Sequence, residues 1–271
     1  PLMFQGGNVL VGDTFVLVGR DYLDDSVRKA IESGAIEGFP QRGSRAEQET
    51  FVSALFRRLF DSDRDVYFLG VEPSVRIPNW VDEVDAQRLG HDVERGSGAR
   101  QPIFHIDMFL SLAGRDPESD RYRVLVGDPG LADRLLDLDR VPHDLQEEFD
   151  QIAAQLAELD FDVRRAPLPY VAVVSPGPAP IRVDGRTVLV DALEEWYHPT
   201  SSNCLVQIDG DARDVWLPTY GHGDFPWLSA VDDEYKRIWT ELGFTVHQLG
   251  DFHPFARNLG ALHCIKKYLA R

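Results

Sequence analysis

The sequence is short of cysteine and lysine and has no long apolar run, and each shortage narrows the reading. Two cysteines, Cys204 and Cys264, are too few for a disulfide-dependent secreted scaffold, so a reducing, cytoplasmic setting is expected. No apolar stretch approaches the roughly 20 residues of a membrane-spanning helix, which argues against a membrane partner. Pro1–Phe4 lack the basic-then-apolar pattern of a secretory signal. His222, His247 and His253 have no paired ligand spacing, so neither a metal nor another cofactor is expected. No G-x-G-x-x-G fingerprint follows a strand-like run, which argues against a dinucleotide fold. Lysine occurs at only Lys29, Lys236, Lys266 and Lys267, so arginine carries most of the positive charge. With 28 basic against 45 acidic residues, the net charge of −17 disfavours a nucleic-acid partner and suits a cationic ligand.

What remains has the balance of a folded protein: 271 residues, 43% hydrophobic and 27% charged. We read residues 1–271 as one α/β domain. Val9–Val11 and Thr14–Gly19 flank a Gly12-Asp13 turn, as a hairpin requires. Ser44 followed by Glu47 forms a capping-box pattern ahead of a helix to Phe60, with Phe51, Leu55 and Leu59 as its apolar stripe. Strands are expected at 65–70, 102–112, 122–126, 171–174, 204–208, 215–217 and 244–249, with helices at 143–159 and 232–242. The run Val9-Leu10-Val11-Gly12-Asp13 returns as Val124-Leu125-Val126-Gly127-Asp128, which with the strand–helix alternation suggests a radial array of similar units. The loop Gly90–Arg100 precedes the His105 segment and reads as a surface loop. Glu194-Glu195-Trp196-Tyr197 reads as a solvated helix end with two aromatic anchors.

Two segments carry chemistry. His105-Ile106-Asp107 lies inside an apolar run, where a strand's period of two would put both polar side chains on one face. Burying such a pair is costly unless something uses or satisfies it. Near the C-terminal end, Cys264 follows Gly260-Ala261-Leu262-His263. Cys204 reads as core, and His263 would point away from the Cys264 face if this segment were a strand.

Phe104-His105-Ile106-Asp107-Met108-Phe109-Leu110-Ser111 and Gly260-Ala261-Leu262-His263-Cys264 resemble two motifs of the guanidino-group-modifying (pentein) superfamily. That superfamily includes arginine, agmatine and protein-arginine deiminases and the amidinotransferases. Phe4-Gln5-Gly6-Gly7-Asn8 is similar to its acidic Gly-Gly motif, and Ser201–Val206 with Leu217–Gly221 to a strand pair before the cysteine. The resemblance implies a five-bladed pseudo-symmetric α/β propeller with a central site. It implies Cys264 as nucleophile, His105 as acid and then base, and Asp107 as a clamp on the guanidinium, with Gln5 and Asn8 beside the substrate. The substrate would be a cationic guanidinium-bearing small molecule or an arginine side chain. A deiminase-type hydrolase is the first expectation. An amidinotransferase and a non-catalytic propeller are the alternatives, and a homo-oligomer is compatible with each. Two departures stand out: Gln5 occupies the usual Glu position, and Asn8 a common Asp position. Because many members carry a second Asp further upstream, the first unit is expected to be incomplete in this sequence.

Overall fold

The computed structural model describes residues 2, 6–34, 36–60, 63–71, 102–103, 105–138, 145–183, 186–258 and 260–266. Gln5, Phe104 and the Gly90–Arg100 loop lie outside the described residues. Within them, one topological unit occurs three times. In the first, β1 (Val9–Val11) pairs antiparallel with β2 (Phe15–Gly19), and β3 (Asp65–Leu69) lies parallel on the other side of β2. Parallel neighbours need a crossover, here supplied by α1 (Arg20–Ser33) and α2 (Arg45–Phe60).

The second unit repeats the pattern with β4 (Leu110–Arg115), β5 (Tyr122–Asp128) and β6 (Asp162–Pro167). Its crossover is α3 (Pro129–Leu136) and α4 (Gln146–Glu158). A long hairpin of β7 (Val171–Val183) and β8 (Arg186–Tyr197) follows. The third unit is β9 (Leu205–Asp209), β10 (Ala212–Thr219), α5 (Ser229–Glu241) and β11 (Thr245–Asp251). Two short helical turns, α6 (His253–Ala256) and α7 (Leu262–Ile265), complete the described chain. Three small mixed sheets thus stand where a dinucleotide fold would have one continuous parallel sheet.

The middle strands are apolar on both faces because both faces are covered, so Val16, Leu17 and Val18 are fully buried, as are Val124, Leu125 and Val126. Strand alternation then divides their work. Val124 and Val126 join a core with Phe15, Leu17 and Phe149, whereas Leu125 faces one built around Val215, Leu217 and Trp239. Phe15 is also in edge-to-face contact with Tyr122 and Phe161, at centroid distances of 4.9 and 4.8 Å, which ties the first unit to the second.

Several local expectations are corrected. The capping box is present, with Ser44 N donating to Glu47 Oε2 at 2.7 Å and Glu47 N to Ser44 Oγ at 3.3 Å. The buried stripe of α2, however, is Gln48, Val52 and Phe56, while Leu59 is 49% exposed. Two four-residue rows compete on such a helix, and Phe56 packing edge-to-face on Phe68 decides between them. Gln48 is tolerated there because its Nε2 donates to Pro40 O at 3.2 Å. The Val-Leu-Val-Gly-Asp echo is no structural repeat: the first copy forms the outer strand β1, the second the middle strand β5. Glu194–Tyr197 belongs to β8 and pairs with Val171–Val174. Residues 105–109 form a tight turn: Met108 N donates to His105 O at 3.1 Å and Phe109 N to Ile106 O at 3.2 Å. The strand therefore starts only at Leu110.

His198 introduces the Thr200–Cys204 loop that leads into β9. It is buried, its Nδ1 lies 3.0 Å from Pro169 O, and burial pushes its pKa down to about 4. Between the ordinary histidine value and about 4, the unfolded chain holds a proton that the folded chain does not. This contribution is full above the ordinary value and is lost as pH falls toward 4. Urea unfolding at pH 5 is expected to show about 2 kcal/mol less stability from this group than at pH 7. His198→Asn should flatten that part of the pH dependence.

Candidate functional site

The 3-10 turn Ile106–Met108 places His105 and Asp107, and Asn8 holds the turn. Asn8 is fully buried and its Oδ1 accepts from Ile106 N at 3.0 Å. This gives it a positioning role under the site, not a place in the cavity wall. Gly7 lies against the same turn. A Cβ there would come within 2.5 Å of His105 Nδ1 and 3.0 Å of Asp107 Oδ2, so a side chain would collide with both groups. Close approach therefore explains Gly7, whereas a Cβ at Gly6 would meet nothing within 4 Å.

Asp107 is 1% exposed and links the clustered groups. Its Oδ2 lies 2.8 Å from His263 Nδ1 and 3.6 Å from Cys264 Sγ. Its Oδ1 is buried with no hydrogen-bond partner among the described residues. A buried carboxylate oxygen without a donor is costly, and a ligand N–H would satisfy it. Asn203 Nδ2 also lies 3.3 Å from Cys264 Sγ. His105, Asp107, His263 and Cys264 border one cavity of about 770 Å³, whose other walls include Val9, Leu112 and Val206. Residues far apart in sequence thus meet at one place.

Electrostatics keeps Cys264 a thiol and His105 a neutral imidazole at rest. Cys264 is exposed as a residue, but partial desolvation of its sulfur, with the nearby Asp107 charge, pushes the thiol above its ordinary value, and hydrogen bonds from Ala261 and Asn203 act in the opposite direction. Burial also lowers His105, against the pull of Asp107. Tyr22 Oη lies 3.1 Å from His105 Nε2, which orients the ring. A cation entering beside Asp107 would reverse the balance at sulfur by offsetting the carboxylate charge.

His263 was missed by the strand assumption. Leu262–Ile265 is a helical turn, in which successive side chains diverge by far less than half a turn, so His263 and Cys264 both reach Asp107. The adjacency His263-Cys264 was the only sequence signal for it. Cys204 is buried with its thiol pushed up to about 11, as suits packing. Of the other described histidines, His222 pairs with Thr219, His247 with Asp214 and His253 with Tyr197. Among the described residues no group of His, Cys, Asp or Glu could hold a metal ion, and no helix is long and apolar enough to cross a membrane.

No protein-family model matches the sequence, and no curated protein sequence does. In structure the chain is similar to C. jejuni agmatine deiminase, at 14% sequence identity and a TM-score of 0.47. That likeness covers 97% of this chain and 54% of the other, so the chain spans about half the length of the protein it matches.

Proposed function

We propose that this chain is a cysteine-dependent, guanidine-modifying hydrolase of the pentein class. Its three ββαβ units would be blades of a five-bladed propeller. The observation that carries the reading is Asp107: a buried carboxylate with one oxygen lacking a donor, 3.6 Å from a cysteine sulfur. A guanidinium is planar and cationic and offers parallel N–H donors, for which a carboxylate is the natural acceptor.

The steps follow from the groups present. The substrate cation docks on Asp107 and favours the thiolate. The Cys264 proton passes to His105, which burial keeps neutral and therefore able to accept it. Sulfur attacks the guanidinium carbon, forming a C–S bond, and His105 returns the proton to the departing nitrogen, which leaves as ammonia. A thiouronium on Cys264 remains. Water, deprotonated by His105, adds to the same carbon; the C–S bond breaks as the added hydroxyl yields its remaining proton to the departing sulfur, His105 passes its proton to solvent, and a ureido product and the Cys264 thiol are released. Asp107 would at the same time hold the His263 ring through Nδ1. Gln5 would lie beside this site as a neutral amide. A reducing cytoplasm would keep the nucleophile as a thiol.

Purified protein incubated with free arginine, agmatine or an arginine peptide is expected to give ureido product and ammonia, and Cys264→Ala to give neither. Product that forms only when an acceptor amine is added would indicate an amidinotransferase. Binding without product in either case would indicate a non-catalytic propeller.

A further inference from the structure

We infer that Asn203 is a catalytic residue, whose side-chain amide donates a hydrogen bond to the reacting sulfur of Cys264 and supports it as a thiolate. The inference rests on the reading of Cys264 as nucleophile. Asn203 is fully buried, at the foot of β9, and every polar atom of its side chain is engaged. Its Oδ1 accepts from His263 N at 2.9 Å and Cys264 N at 3.3 Å, the first turn of α7. Its backbone O also lies 3.2 Å from His263 N.

Those contacts settle which way the amide faces. The reverse orientation would set an NH2 group against two N–H donors, so Nδ2 must point the other way. There it meets Cys264 Sγ at 3.3 Å and Asp107 O at 3.3 Å. Asparagine is suited to this position because one short planar group both accepts from the turn that carries the nucleophile and donates to the nucleophile itself. The other side-chain neighbour of the sulfur is Asp107 Oδ2, a carboxylate oxygen that opposes negative charge on sulfur. A donor to the same sulfur lets one pocket hold both a cation clamp and a thiolate. Ala261 supplies a backbone donor as well, but only the Asn203 side chain can be removed by substitution.

The sign of one pKa change separates this role from a purely structural one. Neutral iodoacetamide alkylation of Cys264, followed by mass spectrometry across pH, gives the thiol midpoint without any need for turnover. Asn203→Leu removes the donor and adds no charge. The midpoint is then expected to rise by about one pH unit and the rate at neutral pH to fall about tenfold, the size of a hydrogen bond to a charged group. If Asn203 only braces the turn, Cys264, already exposed, loses no donor to its sulfur and the midpoint would stay where it is or fall. An unchanged or lowered midpoint overturns the inference.

Should Asn203→Leu fail to fold, the wild-type protein still decides. One asparagine side-chain amide resonance should move with the Cys264 midpoint and stop titrating once Cys264 is alkylated. No such resonance would overturn the inference. If the wild type acts on no guanidine compound while Asn203 still behaves as described, the proposed function fails and the assignment of the sulfur's donor stands.

Discussion

Asp107→Asn is expected to lower kcat/KM for any guanidinium substrate by about two orders of magnitude or more, while making Cys264 more reactive toward neutral iodoacetamide at neutral pH. The first effect is the loss of one charged partner from a buried ion pair, which costs roughly 2–5 kcal/mol. The second has the opposite sign because, after burial, the Asp107 charge is the main cause holding the thiol up. Removing that charge without changing volume lets the thiolate form at lower pH. Initial rates across substrate concentration and an alkylation time course check the pair. A variant that was merely unfolded would lose both the substrate effect and the selectivity for Cys264 over Cys204.

The order of strands and helices was largely legible in the sequence because the covered middle strands read as unbroken apolar runs and the crossover helices carry caps and stripes. Val16–Val18 and Val124–Val126 are of this kind, and so is Phe149-Ile152-Leu156 on α4. The choice between adjacent rows was not legible: Phe51 and Val52 are both apolar, and it is the core around Val16, Val18 and Val66 that takes in Val52 and Phe56. Period-two reasoning failed at residues 105–109 because Asn8 Oδ1 captures the Ile106 N–H and backbone hydrogen bonds close a turn. His105 and Asp107 still border one cavity, but for a different geometric reason. The same error hid His263, whose reach to Asp107 depends on a helical turn that four residues of sequence cannot specify. Asn203 sits inside the Ser201–Val206 segment with nothing in the sequence to single it out, since its contacts join segments about 60 residues apart.

On the proposed function, Cys264 is a thiol that is quiet alone and aroused by a cation. A direct comparison uses 2-chloroacetamidine and 2-chloroacetamide, which share a leaving group and differ in charge. At neutral pH the cationic reagent is expected to modify Cys264 at least about tenfold faster than the neutral one, because it docks on Asp107 as a guanidinium would and lowers the thiol pKa where it reacts. Cys204, with its thiol pushed up to about 11 and buried, should stay unmodified by both. Excess substrate should protect Cys264, and Asp107→Asn should abolish most of the preference for the cation. Equal rates for the two reagents at Cys264, or labelling of Cys204 first, would contradict the assignment of this cavity as a guanidinium site.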